Sequence, residues 1–161
     1  MPRYLLSTQA LLDVAKQAGL PAQRWLEAAG ARGIQSSDVH ISAVSPMILT
    51  RAFRQAEQSP AHDAVRRACE SLVKRFAQAG QVVPVTREIA DRWGDLLEYE
   101  LSYTNAAGES KLFDSHEKLV MATAIEGVDG RPFVLVSRRH AAHAALKPLG
   151  LQVEDPEDAT P

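Results

Sequence analysis

Several polar residues in this sequence stand immediately after short apolar runs. Ser7 follows Tyr4-Leu5-Leu6, Ser45 follows the run ending at Val44, and Ser137-Arg138-Arg139 follows Phe133-Val134-Leu135-Val136. In open α/β sheets ligands bind just outside the carboxyl ends of the strands, so these residues are candidates to meet in one crevice. Arginine, hydroxyls and helix N-termini together bind phosphate. That chemistry nominates Ser7, Ser137, Arg138 and Arg139 for a phosphorylated ligand; the plainer reading makes the arginine pair surface charge answering an acidic C-terminus. Ser45, just before Pro46, reads as a helix cap. No serine has a partnered His and Asp, which sets acyl-transfer chemistry aside. His140 and His143 are three apart on an expected helix, a weak metal pattern without a third ligand. Asp91, Asp95 and Glu98 read as the solvated side of a helix.

The elements that must position these residues follow from apolar spacing. Around the centre, Leu119, Val120, Thr123 and Ile125 fall near helical spacing, with Ala122 and Ala124 as small packing residues between them. Gly127-Val128-Asp129-Gly130 then breaks the helix, and the unalternating run Phe133–Val136 suits a strand buried on both faces. Before it come an expected strand at Arg3–Leu6, a helix at Gln9–Ala18 with Ser7 and Thr8 as caps, and a second helix from Pro21 to Gly30. Val39–Val44 reads as a strand, followed by two helices, the first opened by Ser45-Pro46 and separated from the second by a break at Ser59-Pro60. The second of these carries Val65, Ala68, Leu72, Val73 and Phe76 in one stripe. Its Arg66, Arg67, Lys74 and Arg75 read as a solvated face rather than a nucleic-acid patch. Val82–Val85 is a strand whose Pro84 suggests an edge. Thr86 caps the helix bearing Ile89, Trp93, Leu96 and Leu97, and Tyr103–Lys111 reads as loop. His140–Leu146 is a short helix, Leu151–Val153 a last strand, and residues 154–161 an acidic tail expected to be disordered. Strands separated by helices require right-handed crossovers and a mainly parallel sheet, an α/β fold with helices on both faces.

Composition narrows the function classes. With 161 residues the chain reads as one domain, residues 1–153, and its net charge of −2 advertises no global attraction to nucleic acid. The single cysteine, Cys69, excludes an internal disulfide, fits a reducing cytoplasm and reads as a small buried hydrophobe. No run approaches membrane-spanning length and no secretory leader is evident, so a cytoplasmic protein is expected. Neither a phosphate-binding Walker loop nor a Gly-rich dinucleotide fingerprint is present.

Taken in order, the segments YLLSTQALL, HISAVSPMILTRAF, VVPVTREIADRWGDLL, LVMATAIEG, FVLVSRR and LGLQVEDP resemble a PIN domain. This is the fold of metal-dependent ribonucleases that includes VapC-type toxins of toxin–antitoxin modules. The resemblance implies a three-layer α/β/α fold with a mainly parallel sheet of about five strands. It also implies a carboxylate cluster holding Mg²⁺ or Mn²⁺ to activate water against a phosphodiester. Carried onto this sequence, the family's acid positions fall on Ser7, Ile48, Glu117 and Ala142, with Asp114 as a possible substitute one turn before Glu117. Around Ala142 stand Arg138, Arg139 and His140 instead of an acid. One acid beside an arginine pair is a poor site for a hard divalent cation. The expectation is therefore a degenerate, catalytically inactive PIN-like protein, without a metal cofactor, that binds RNA or an antitoxin-like small protein. By the same resemblance it forms a homodimer, with the helices around Leu49 and Leu72 as natural partner surfaces. An active ribonuclease completed by Glu117, Asp114 and Asp13 is the alternative, and a pure protein-interaction module a third.

Overall fold

The computed structural model describes residues 1–158. In chain order the elements are β1 (Tyr4–Leu6), α1 (Thr8–Lys16), α2 (Pro21–Ala28), β2 (Val39–Ser42), α3 (Ser45–Gln55), α4 (Pro60–Gln78), β3 (Val82–Val83) and α5 (Arg87–Leu97). There follow β4 (Ser102–Thr104), β5 (Ser110–Leu112), α6 (Ser115–Glu126), β6 (Val134–Val136), α7 (Ala141–Leu146) and β7 (Gln152–Glu154). Five strands form one parallel sheet in the order β3-β2-β1-β6-β7. Pro84 lies just past β3, which is the edge strand its proline required.

Alternation along the short strands sorts the core into two slabs. Tyr4 and Leu6 of β1, Val39 and Ile41 of β2 and Val136 of β6 face α1, α2 and α4, packing with Leu11, Trp25, Leu72 and Phe76. Leu5, Val83 and Leu135 point the other way, onto Ile89 and Leu96 of α5 and Leu119 to Ile125 of α6. This is the three-layer α/β/α arrangement. Along α6 the seven consecutive residues from Leu119 to Ile125 are all buried, so this stretch has no solvent-facing polar side. Cys69 is buried, and burial pushes its thiol up to about 11, which keeps it inert.

The structure corrects four local expectations. Ser45 is the first residue of α3 and caps nothing; it is fully buried, and its hydroxyl accepts a hydrogen bond from Thr8 Oγ1 at 3.1 Å. β2 ends at Ser42, before the run Ala43-Val44 that was expected to extend it. The segment 103–111 forms an antiparallel hairpin, β4–β5, whose turn is organised by Asn105 Oδ1 accepting from the Ala107 and Glu109 amides. Finally, the fold runs past the expected boundary at 153. Glu154 belongs to β7 and its carboxylate accepts from Trp25 Nε1 and pairs with Arg32, each at 2.6 Å. Asp155 is buried, and residues 159–161 of the expected tail lie outside the described residues.

The turn between α6 and β6 sets how closely the two elements join. Gly127 has φ +66°, and a Cβ there would sit 1.7 Å from the Arg131 carbonyl oxygen. Gly130 has a similar φ of +68° but nothing within 4 Å. In urea denaturation Gly127→Ala is expected to lose more than about 2 kcal/mol, and Gly130→Ala only about 1 kcal/mol. Equal small losses in both would show that the turn relaxes around the added methyl group.

Candidate functional site

Parallel pairing of β1 with β6 places two strand ends side by side, and the Ser7 amide donates to the Val136 carbonyl at 3.0 Å. A cavity of about 540 Å³ opens there. Its floor is Ser7, Thr8, Ser137 and Leu135, one wall is Glu117, Val120 and Met121 of α6, and another is Arg138, His140 and His143. The β4–β5 hairpin covers it with Tyr103, Thr104 and Asn105, while Asp13, Asp155 and Glu157 complete the rim. Tyr103 packs on Phe113 (ring centroids 4.7 Å apart) and on His140 (5.5 Å), so the hairpin is held to α7 by a ring cluster. That contact is why a polar, solvent-facing hairpin is ordered over the crevice.

The nominated residues part company here. Ser7, Ser137, Arg138 and Glu117 line the cavity, as does Asp13. Ser7 Oγ accepts from the Ala10 amide at 3.1 Å as the cap of α1, which leaves its O–H available to a ligand. Ser137 donates its hydroxyl hydrogen to the Arg138 carbonyl. Arg139 does not join Arg138: its guanidinium pairs with Asp158 at 2.8 Å, outside the cavity. Ile48 and Ala142 are partly buried apolar residues packed against the α5–α6 slab, and neither carries a ligating atom.

Asp114 and Glu117 are engaged with each other's backbone. Glu117 N donates to Asp114 Oδ1 at 2.8 Å, and Asp114 N donates to Glu117 Oε2 at 3.1 Å, a reciprocal cap on α6. The D-x-x-E spacing before an apolar helix announces this cap. Burial raises the Glu117 pKa, the hydrogen bond from the Asp114 amide opposes that shift, and the Asp114 charge adds to it. Asp155, assigned to the tail on sequence grounds, is a buried site residue whose carboxylate accepts from the amides of Arg139 (2.7 Å) and Glu157 (3.0 Å). Its signal in the sequence is an acid directly following the apolar strand at 151–153.

The resemblance implies Mg²⁺ or Mn²⁺, and the donor set can be tested against such an ion. Hard divalent cations need several oxygen ligands converging on one point. Among the described residues no three His, Cys, Asp or Glu side chains are grouped to hold a metal. Four carboxylates line the cavity, yet Glu117 and Asp155 are turned toward backbone amides and Asp13 toward Gln9 Nε2. The residues present do not fit the ion.

Comparison with solved structures places this geometry. The chain is similar to a FitAB complex bound to an IR36 DNA fragment, with TM-score 0.63 and 17% identity over 95% of this chain and 94% of that one. It is similar to VapBC from Salmonella typhimurium bound to DNA, with TM-score 0.60 and 14% identity over 97% and 99% of the two chains. VapBC2 from Rickettsia felis, bound to a DNA fragment from its promoter, gives TM-score 0.57 at 14% identity, covering 94% and 96%. No family model matches the sequence, and the search of curated proteins finds no match. The fold is PIN-like, over essentially the whole chain.

The imidazoles on the α7 side carry a pH dependence. His143 Nδ1 accepts from the His140 amide at 3.2 Å, which places the neutral ring's proton on Nε2. Burial lowers the His143 pKa from the ordinary 6.5 to about 4, helped by His140 and Arg139 and opposed by Asp155. The unfolded chain therefore binds this proton first. Stability is complete above pH 6.5 and falls as pH drops from there to about 4, by roughly 2 to 3 kcal/mol from this group. Chemical denaturation across that window is expected to show the decline, flattened in His143→Leu. A wild-type profile that is flat, or that rises toward acid, would contradict the assignment.

Proposed function

We propose that this chain is a PIN-like component of a toxin–antitoxin-like module that binds its partner and does not cleave RNA by a metal-dependent route. The observation carrying this reading is the state of the cavity's acids: Asp13, Glu117 and Asp155 accept from amide donors, and among the described residues no three acids, histidines or cysteines are grouped around a point where a cation would sit. Similarity to FitAB and VapBC complexes supports an antitoxin-like small protein as the partner. The homodimer rests on the family resemblance, and residence in the cytoplasm is consistent with the absence, among the described residues, of a helix long and apolar enough to cross a membrane.

As a ligand site the cavity is of mixed charge. Arg138 has no ion pair among the described residues and, with the Ser7 hydroxyl, offers an anion two donors. Against it stand Asp13, Glu117, Asp155 and Glu157. That surplus opposes a phosphate dianion, so RNA in the cavity is second to a protein segment as its occupant. One observation favours an active ribonuclease instead: Asp13 and Glu117 face the same cavity, and a side-chain rearrangement could turn both toward one cation.

Expression separates the two. The binding reading predicts growth without arrest, copurification with a small partner, and no Mn²⁺ site tighter than millimolar by calorimetry. Growth arrest abolished by either Asp13→Ala or Glu117→Ala, with a micromolar Mn²⁺ site lost in the same variants, would establish the ribonuclease.

A further inference from the structure

A second surface, remote from the cavity, carries the charge that the cavity lacks. α3 and α4 together hold six cations, Arg51, Arg54, Arg66, Arg67, Lys74 and Arg75, against two carboxylates, Asp63 and Glu70, a surplus of four positive charges. The rest of the sequence holds twelve cations against eighteen carboxylates, a deficit of six, which recovers the net charge of −2. The near-neutral total therefore conceals a strongly polarised molecule.

The two helical carboxylates are both taken by one residue: Arg66 pairs with Glu70 at 2.7 Å and with Asp63 at 3.7 Å. The other five cations are exposed and, among the described residues, have no hydrogen bond or ion pair from their side chains. On α4 the buried face is Cys69, Leu72 and Phe76. At roughly 100° per residue, Arg67 and Lys74 lie on the opposite side, stacked two turns apart at about 10.5 Å along the axis, with Arg75 adjoining. The apolar stripes expected to meet a partner are spent on the core, and the outward face is basic. A second copy presenting the same face would repel it. No residue of α3 or α4 lines the cavity.

We infer that the outward face of α4, extended by Arg51 and Arg54 of α3, is a docking surface for the phosphodiester backbone of a nucleic acid. Free guanidinium and ammonium groups in a row neutralise successive phosphates and release their counterions, which requires neither a cavity nor a metal. Recognition of this kind is independent of base sequence and strongly dependent on salt.

The test is fluorescence polarisation of the full chain with a labelled 20-nucleotide single-stranded RNA, and with DNA of the same sequence, across a KCl series from 50 to 200 mM. Binding at low salt is expected, weakened at least tenfold in Arg67→Gln/Lys74→Gln/Arg75→Gln. The slope of log affinity against log salt should fall by about 2 for three lost contacts to a single strand. Equal affinity for RNA and DNA supports recognition of the backbone alone, and a preference for RNA supports the same surface with added contacts to the 2′-hydroxyl. Arg87→Gln, exposed on α5 and outside both surfaces, should leave both quantities unchanged, whereas loss in Arg138→Gln would put the nucleic acid in the cavity. The three α4 residues are exposed, and circular dichroism checks that the variant keeps its fold. Absence of low-salt binding, unchanged affinity in the triple variant, or loss in Arg138→Gln instead would overturn the inference.

Discussion

The parallel register of β1 against β6 is the constraint on which the molecule depends. Tyr4 opposes Val134, Leu5 opposes Leu135 and Leu6 opposes Val136, so the two strands end level. Both are interior to the sheet and buried on each face, which is why apolar runs without polar alternation suffice to specify them. Once they end together, whatever follows each must emerge at the same place. Ser7 and Ser137 therefore share one cavity although 130 positions separate them.

What surrounds that point is determined by secondary contacts that the central strands do not dictate. α7 and the β4–β5 hairpin meet through Tyr103, Phe113 and His140 and close the crevice from above. At the far edge, Glu154 ties β7 to Trp25 and Arg32, joining the last strand to the α2 side of the sheet. Beyond it Asp155 folds back on the Arg139 amide. The acidic end of the chain thus contributes to the rim of the site. Charge is distributed to the same pattern, carboxylates about the cavity and unpaired cations on α3 and α4.

The parts legible in the sequence were those with one dominant physical signal. β1 and β6 were plain from apolar runs, β3 at the edge from Pro84, α1 and α5 from Ser7 and Thr86 as caps, and α4 from its apolar stripe after the break at Ser59-Pro60. The hairpin was not, because its strands are three residues each and mostly exposed, and only Asn105 and Gly108 mark the turn. Ser45 misled because Ser-Pro is a capping signal, whereas here the backbone enters the helix one residue earlier and the buried hydroxyl accepts from Thr8. Of the residues nominated from strand ends and resemblance, Ser7, Glu117, Ser137 and Arg138 come together in one cavity. Arg139 was not legible, since its partner Asp158 lay in the supposed tail. Asp155 was hidden for the same reason.

The central claim is that Asp13, Glu117 and Asp155 are held by amide donors and, so placed, do not form a hard-cation site. The most direct measurement is an anomalous difference map from crystals grown in manganese. The account predicts no peak among Asp13, Glu117 and Asp155, with the Asp114–Glu117 reciprocal cap intact. A manganese ion bound by two or more of those three carboxylates, with the cap broken to release Glu117, would contradict it.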